Sequence, residues 1–300
     1  MWRAERRKLF NGSRVMKNIR IIPRLDIKGP NLVKGIHLEG LRVLGSPEEF
    51  AQYYYETGAD ELIYMDVVAS LYNRNSLIEI INKTARQIFI PLTVGGGLRT
   101  LDDIKMVLRA GADKVSLNTI AIKNPEIIRE AAKRFGSSTI LISIEAIKQP
   151  DGRYLVFTEN AREFTGVEVF SWAKKVEELG AGEILLTSVD KEGTGSGYDI
   201  ELTKAVAESV SIPVIANGGA GKLEDIKQVI KDGKADAVSI ASVLHYDFVK
   251  KYNERNNYSV DKNEGNTEFL KSGLIYSKIK IAGLQEIKSY LATEMINCRK

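Results

Sequence analysis

The sequence predicts an α/β fold, a closed (β/α)8 barrel built from two half-barrels, and three observations carry that expectation. First, IPLTVGGGLRTLDDIK at 90–105 and IPVIANGGAGKLEDIK at 212–227 share one plan, 122 positions apart. Each runs from an Ile-Pro-led apolar burst through a glycine run into an amphipathic segment ending in Asp-Ile-Lys. Second, three more segments recur in the same order at close to that spacing: IIPRLDI (21–27) with ILISIEA (140–146), TGADELIYMD (57–66) with LGAGEILLTS (179–188), and ADKVS (112–116) with ADAVS (235–239). Third, every recurring segment is a short Ile, Val and Leu-rich run without polar alternation, as in strands buried on both faces of a parallel sheet. Four βα units, duplicated, make eight. Parallel strands with right-handed crossovers leave an open doubly wound sheet or a closed TIM barrel, and the twofold repeat fits closure.

The elements follow in order. After the first strand comes SPEEFAQYYYETG, with Ser46 as N-cap, Pro47 in the first helical position, Glu49 closing a capping box and Gly58 as the stop. Helical periodicity of 3.6 returns in NPEIIREAAKRFG (124–136) and ELTKAVAESV (201–210), and a last helix reads LQEIKSYLATE (284–294). Two segments stand outside the repeat. Residues 1–18 are basic without a secretory apolar core and read as a loose extension, with a cleaved transit peptide as the alternative. Residues 250–273 are polar and Asn-rich and read as a loop inserted before the final helix. The expected organisation is one barrel over 19–300.

Composition bounds the function. The 300 residues suffice for one barrel plus appendages, and the 44% hydrophobic content includes no apolar run of membrane-spanning length. With 43 basic and 39 acidic residues, the net charge of +4 suits an anionic small ligand and gives no nucleic-acid surface. The lone cysteine, Cys298, excludes an internal disulfide and a thiolate cluster and suits a reducing cytoplasm. Two histidines, His37 and His245, argue against a His-based metal site.

Function in such barrels sits at the C-terminal strand ends. The glycine runs after the third and seventh strands expose backbone, and next to each lies a strand end with small or hydroxyl residues: Asn118 and Thr119 in one half, Ala241 and Ser242 in the other. Free backbone N–H groups there suit an oxyanion, so the duplication predicts two phosphate sites and a long ligand with a phosphate at each end. Asp26 and Glu145 occupy equivalent positions ending the first and fifth strands. Such a pair either caps loops or divides into general acid and base when the surroundings push the two pKa values apart.

RIIPRLDI followed by LVKG, DELIYMDVVAS, IPLTVGGG, GADKVSLNT, GAGEILLTSVDKEGT, IPVIANGGAG and ASVLH together resemble the cyclase subunit of imidazole glycerol phosphate synthase, over about 21–247 and again in the final helix. The resemblance implies a barrel that takes ammonia from a separate glutaminase subunit, its heterodimer partner. The ammonia is joined to a bisphosphorylated ribulosyl formimino carboxamide nucleotide, giving imidazole glycerol phosphate and aminoimidazole carboxamide ribotide, with no cofactor. It further implies Asp26 and Glu145 as catalytic carboxylates and Lys34 as the lysine of a mobile first loop. Gly97, Asn118 and Thr119 match one phosphate cradle; Gly193, Gly219, Ala241 and Ser242 match the other, with Glu192 beside them also expected at the phosphate. Arg20, Glu61, Lys114 and Glu183 match a salt-bridged gate where ammonia enters.

Three positions depart from the family pattern. Glu145 stands where a second catalytic aspartate is usual, Arg24 replaces a small residue beside Asp26, and Glu192 replaces the Asp before Gly-Thr. Three readings are therefore compatible with the sequence: the histidine-pathway cyclase; a paralogue that passes ammonia to a nucleotide-sugar modifying enzyme; and, against its cyclase-like motifs, the single-chain isomerase of the same pathway.

Overall fold

A computed structural model describes residues 18–67, 75–255 and 278–299 of the chain. The strands in chain order are β1 (Arg20–Lys28), β2 (Asn31–Ile36), β3 (Glu39–Gly45), β4 (Leu62–Asp66), β5 (Leu92–Gly95), β6 (Lys114–Leu117), β7 (Ile140–Lys148), β8 (Tyr154–Thr158), β9 (Glu163–Glu168), β10 (Glu183–Ser188), β11 (Val214–Asn217) and β12 (Ala237–Ile240). Eight of them pair in parallel in the order β10-β11-β12-β1-β4-β5-β6-β7, and β7 pairs again with β10, which closes the barrel. The expected (β/α)8 architecture is present.

Alternation along the strands separates two apolar shells. Ile22, Ile63, Met65, Leu141, Leu185, Ile215 and Ala237 pack inside the barrel. Residues such as Ile21, Leu25, Tyr64, Ile142 and Leu186 face outward under the helices. Those helices are α1 (Pro47–Glu56), α2 (Asn75–Ala85), α3 (Leu101–Arg109), the short α4 (Thr119–Lys123), α5 (Glu126–Phe135), α6 (Val169–Leu179), α7 (Ile200–Ser209), α8 (Leu223–Lys231), α9 (Ser242–Arg255) and α10 (Leu284–Thr293). Among the described residues, none is long and apolar enough to cross a membrane.

The duplication extends to single hydrogen bonds. Asp113 accepts from the Leu92 backbone N–H at 2.9 Å, and Asp236 accepts from Val214 at 2.8 Å. Asp103 takes the N–H groups of Arg99 and Thr100, each at 2.9 Å, and Asp225 takes those of Gly221 and Lys222 at 2.9 and 3.0 Å. Each aspartate ties the turn after a glycine run to the first turn of the next helix, where a carboxylate also meets the positive end of the helix dipole.

Several expectations need correction. Ser46 precedes α1 as expected, but its hydroxyl donates to Glu48 at 2.8 Å and the capping box with Glu49 does not form. Residues 250–255 belong to α9, not to an inserted loop; of that loop, and of the N-terminal extension, residues 256–273 and 1–17 lie outside the described residues. Two antiparallel excursions interrupt the alternation of strand and helix. β2 and β3 fold back from β1, and β8 and β9 fold back from β7, at equivalent places in the two halves. Their turn chemistry was visible: Gly29-Pro30 forms the two-residue turn between β1 and β2, and Asp151-Gly152 lies between β7 and β8.

Candidate active site

The barrel interior changes character from bottom to top. At the strand starts, Arg20 bonds Glu61 at 2.8 Å and Glu183 at 2.6 Å, while Lys114 bonds the same two carboxylates at 3.0 and 2.9 Å. The four side chains that the family resemblance singles out thus form a closed ring of alternating charge. Above it lies the inner apolar shell, and beside that shell sit buried polar atoms. Thr93 Oγ1, Ser116 Oγ, Asn118 Oδ1 and Ser239 Oγ have no hydrogen-bond partner among the described residues.

At the top, Asp26 on β1 and Glu145 on β7 stand on strands four places apart by either path around the barrel, so they oppose each other across the mouth. Both are buried. Neither ends its strand; each sits where an antiparallel excursion begins to pair, Asp26 against Val33 and Glu145 against Phe157. Burial pushes the Glu145 carboxyl up to about 7, against the opposing pull of the Ala161 N–H bond, the Arg24 charge and a hydrogen bond from Asn118. The Ala161 N–H donates to Glu145 Oε2 at 2.8 Å from a turn in which Glu159, Asn160 and Ala161 all have positive φ. Three successive non-glycine residues there carry backbone strain of about 1 kcal/mol or more each, held by contacts such as the Asn160 amide bond to the Val67 carbonyl at 2.6 Å. No glycine or proline marks this turn in the sequence.

Glu145 borders a cavity of about 260 Å³ whose lining includes Gly97, Ser116, Asn118 and Thr119. Three of the residues expected to hold a phosphate thus share one cavity with the raised carboxyl. Asn118 follows the last residue of β6, and Thr119 opens α4.

In the other half, Gly193 lies in the segment after β10, Gly219 follows β11, and Ala241 and Ser242 follow β12. Gly219 has φ of 110°, and a Cβ there would lie 2.1 Å from the Gly197 carbonyl oxygen, so only glycine fits. The Gly197 N–H donates to the Gly219 carbonyl at 2.8 Å. Gly193 abuts the backbone of Gly35 and Ile36, and Ser242 opens α9. Over this half lies the β2–β3 hairpin. His37 N–H donates to the Glu192 carbonyl at 2.9 Å, its ring nitrogen meets the Val189 carbonyl at 2.8 Å, and Lys34 is ion-paired with Glu192. Lys34 therefore sits on a strand rather than in an open loop, and the Glu192 carboxylate is turned to Lys34. Burial opposes both charges, yet each holds the other ionised: Lys34 is raised and Glu192 lowered from their usual values.

Arg24 enters the same mouth. Its Nε donates to Asp26 Oδ1 at 2.9 Å, with both side chains 4% exposed. Burial disfavours the guanidinium charge, but Asp26, Glu192 and Glu145 outweigh it and hold the pKa above its usual value. His245 Nε2 lies 2.9 Å from the Arg24 carbonyl and Nδ1 lies 2.6 Å from Tyr54 Oη. A carbonyl only accepts, so Nε2 carries the hydrogen and Nδ1 accepts from the tyrosine. Burial depresses this imidazole to about 3, which keeps it neutral.

The fold and mouth define a (β/α)8-barrel enzyme, with opposed carboxylates between two glycine-edged strand ends. The profile of the histidine biosynthesis protein family matches residues 20–250, and the chain belongs to that family. It is 61% identical over 210 residues to the imidazole glycerol phosphate synthase subunit HisF of Legionella pneumophila, covering 70% of this chain and 99% of that protein. Against the HisF subunit of Methanocaldococcus jannaschii it is 48% identical over 257 residues, 78% of this chain and 94% of the other. Against that of Prochlorococcus marinus it is 51% identical over 232 residues, 77% and 91% respectively.

Proposed function

We propose that this chain is the cyclase subunit of imidazole glycerol phosphate synthase, joining ammonia to the bisphosphorylated ribulosyl formimino carboxamide nucleotide. The observation that carries the reading is the pair Asp26 and Glu145 opposed across the mouth, one of them poised at about 7. Proton transfer is most efficient when the catalytic pKa lies near the working pH. Asp26, held by the Arg24 Nε bond, is the second carboxylate and faces Glu145 across the mouth. The cavity with Gly97, Asn118 and Thr119 takes one phosphate, through backbone N–H groups and the Thr119 hydroxyl. The second phosphate lies among Gly193, Gly219, Ala241 and Ser242. Release of Lys34 from Glu192 frees an ammonium to follow the ligand.

Ammonia is supplied by a glutaminase subunit docked on the strand starts, and the Arg20–Glu61–Lys114–Glu183 ring is its gate. A cytoplasmic setting accords with the single free thiol of Cys298.

The Arg24–Asp26 bond favours a second reading, in which the mouth has left cyclase chemistry and the barrel conducts ammonia to a nucleotide-sugar amidating enzyme. The shared name of the relatives favours the first. One assay separates them: ammonium-dependent turnover of the nucleotide by wild type, Glu145→Asp, and Glu145→Asp with Arg24→Cys. Turnover by wild type, changed only modestly in Glu145→Asp, supports the cyclase. No turnover in any of the three, with ligand still bound, rejects it.

A further inference from the structure

Arg24 is buried in the mouth, yet its hydrogen bonding is incomplete. Only Nε is engaged, by Asp26; neither terminal amino group has a partner among the described residues. Its backbone is fixed, because the Arg24 carbonyl is held by His245, itself held by Tyr54. Its direction is fixed too. Arg24 and Asp26 lie on the same face of β1, and the 2.9 Å contact brings the guanidinium up to the level of the carboxylate, toward the mouth. The result is a planar fork of N–H donors, pre-oriented at its root, lying between the two half-barrels. The terminal amino groups are not among the buried unpartnered atoms, so they open onto the mouth, where an acceptor can reach them.

The local charge says what kind of acceptor fits. Three carboxylates act on Arg24, those of Asp26, Glu192 and Glu145, and the second cation is Lys34, already paired. Two positive groups against up to three negative ones disfavour a further full negative charge in the middle of the mouth. A neutral planar carbonyl oxygen meets the same N–H groups without that repulsion.

We infer that Arg24 is a specificity-determining residue whose two free amino groups bind a neutral amide-class carbonyl oxygen in the middle of a phosphorylated ligand. The inference rests on the cyclase reading for the carboxamide itself, and adds a central contact between the two phosphate sites. It also gives the Arg24–Asp26 pair a positive role: Asp26 holds the fork in place through Nε and leaves the other nitrogens to the ligand.

Calorimetric titration of the full chain tests it with three probes that each carry one phosphate: ribose 5-phosphate, aminoimidazole carboxamide ribotide, and the carboxylate analogue of that ribotide. Wild type is expected to bind the carboxamide at least about 10-fold more tightly than the carboxylate, the scale of a hydrogen bond to a charged group. Arg24→Lys keeps a cation beside Asp26 but removes the fork. It should lose about 10-fold of the preference for the carboxamide ribotide over ribose 5-phosphate, while affinity for ribose 5-phosphate itself stays the same. Equal or tighter binding of the carboxylate by wild type overturns the inference even if no variant folds, and so does an unchanged preference in Arg24→Lys. Failure of the cyclase reading shows separately, as absence of ammonium-dependent turnover with these preferences intact.

Discussion

Glu61, immediately before β4, and Glu183, the first residue of β10 in the opposite half-barrel, grip the same two cations: each takes one bond from Arg20 and one from Lys114, at 2.6–3.0 Å. They stand at repeat-equivalent positions, so the twofold symmetry of the fold reappears as a symmetric pair of acceptors. Opening the ring strands charge at the barrel floor. Lys114→Met is expected to cost about 1–3 kcal/mol in urea unfolding, below the full penalty of a buried pair because the cations are partly exposed. With a glutaminase partner present, glutamine-dependent turnover should fall in this variant while ammonium-dependent turnover persists. Equal loss of both would remove the gate role.

Glu145 makes stability depend on pH. Its folded pKa of about 7 lies above the unfolded value near 4.5, so the folded state binds the proton more tightly. The resulting stabilisation is complete below about 4.5 and is lost as pH rises through about 7, a change on the order of 3 kcal/mol. Glu145→Gln keeps an acceptor for the Ala161 N–H and removes the charge. It is expected to match wild type at pH 4 and to melt higher than wild type at pH 8, as thermal unfolding at the two pH values will show. Equal melting shifts at both pH values would mean that the buried carboxyl is not the titrating group.

Lys34 and Glu192 are both buried, so removing one partner leaves an unpaired charge. Glu192→Leu alone and Lys34→Met alone should each destabilise by about 3–5 kcal/mol, while the double variant recovers most of that loss. A double-mutant cycle in denaturant measures the coupling directly. Additive single effects would show that the pair does not hold the β2–β3 hairpin over the mouth.

Gly219→Ala forces a Cβ toward the Gly197 carbonyl oxygen at a positive φ. The expected cost is about 2–4 kcal/mol, from strain plus displacement of the 190s loop. Titration with inorganic phosphate should show weaker binding at this half only, leaving the cavity near Gly97 unaffected. Wild-type stability in this variant would contradict the close approach.

Local pattern carried the architecture. Apolar bursts, glycine runs and repeat offsets near 122 are enough to lay out eight βα units, because burial of a strand on two faces or of a helix on one is written in its own residues. The helices at 126–135, 200–209 and 284–293 lie within a residue or two of their periodic segments for the same reason. The hairpin segments are too short to declare themselves in the sequence, and it is the family resemblance that places Lys34 in a loop. Their turn residues were present, but only pairing against β1 and β7 makes such segments strands.

By itself, then, the sequence determined the barrel, its duplication, and which strand ends carry glycine, hydroxyl and carboxylate groups. The tertiary structure decided what those groups do to one another. Lys34 finds Glu192 across 158 residues, Glu61 and Glu183 share Arg20 and Lys114, Arg24 turns up to Asp26, and Ala161 caps Glu145 from a strained turn. The physical reason is range. Burial preference is a property of each residue and its near neighbours, whereas an ion pair or a raised pKa depends on which distant charges closure brings within a few ångströms and how completely water is expelled.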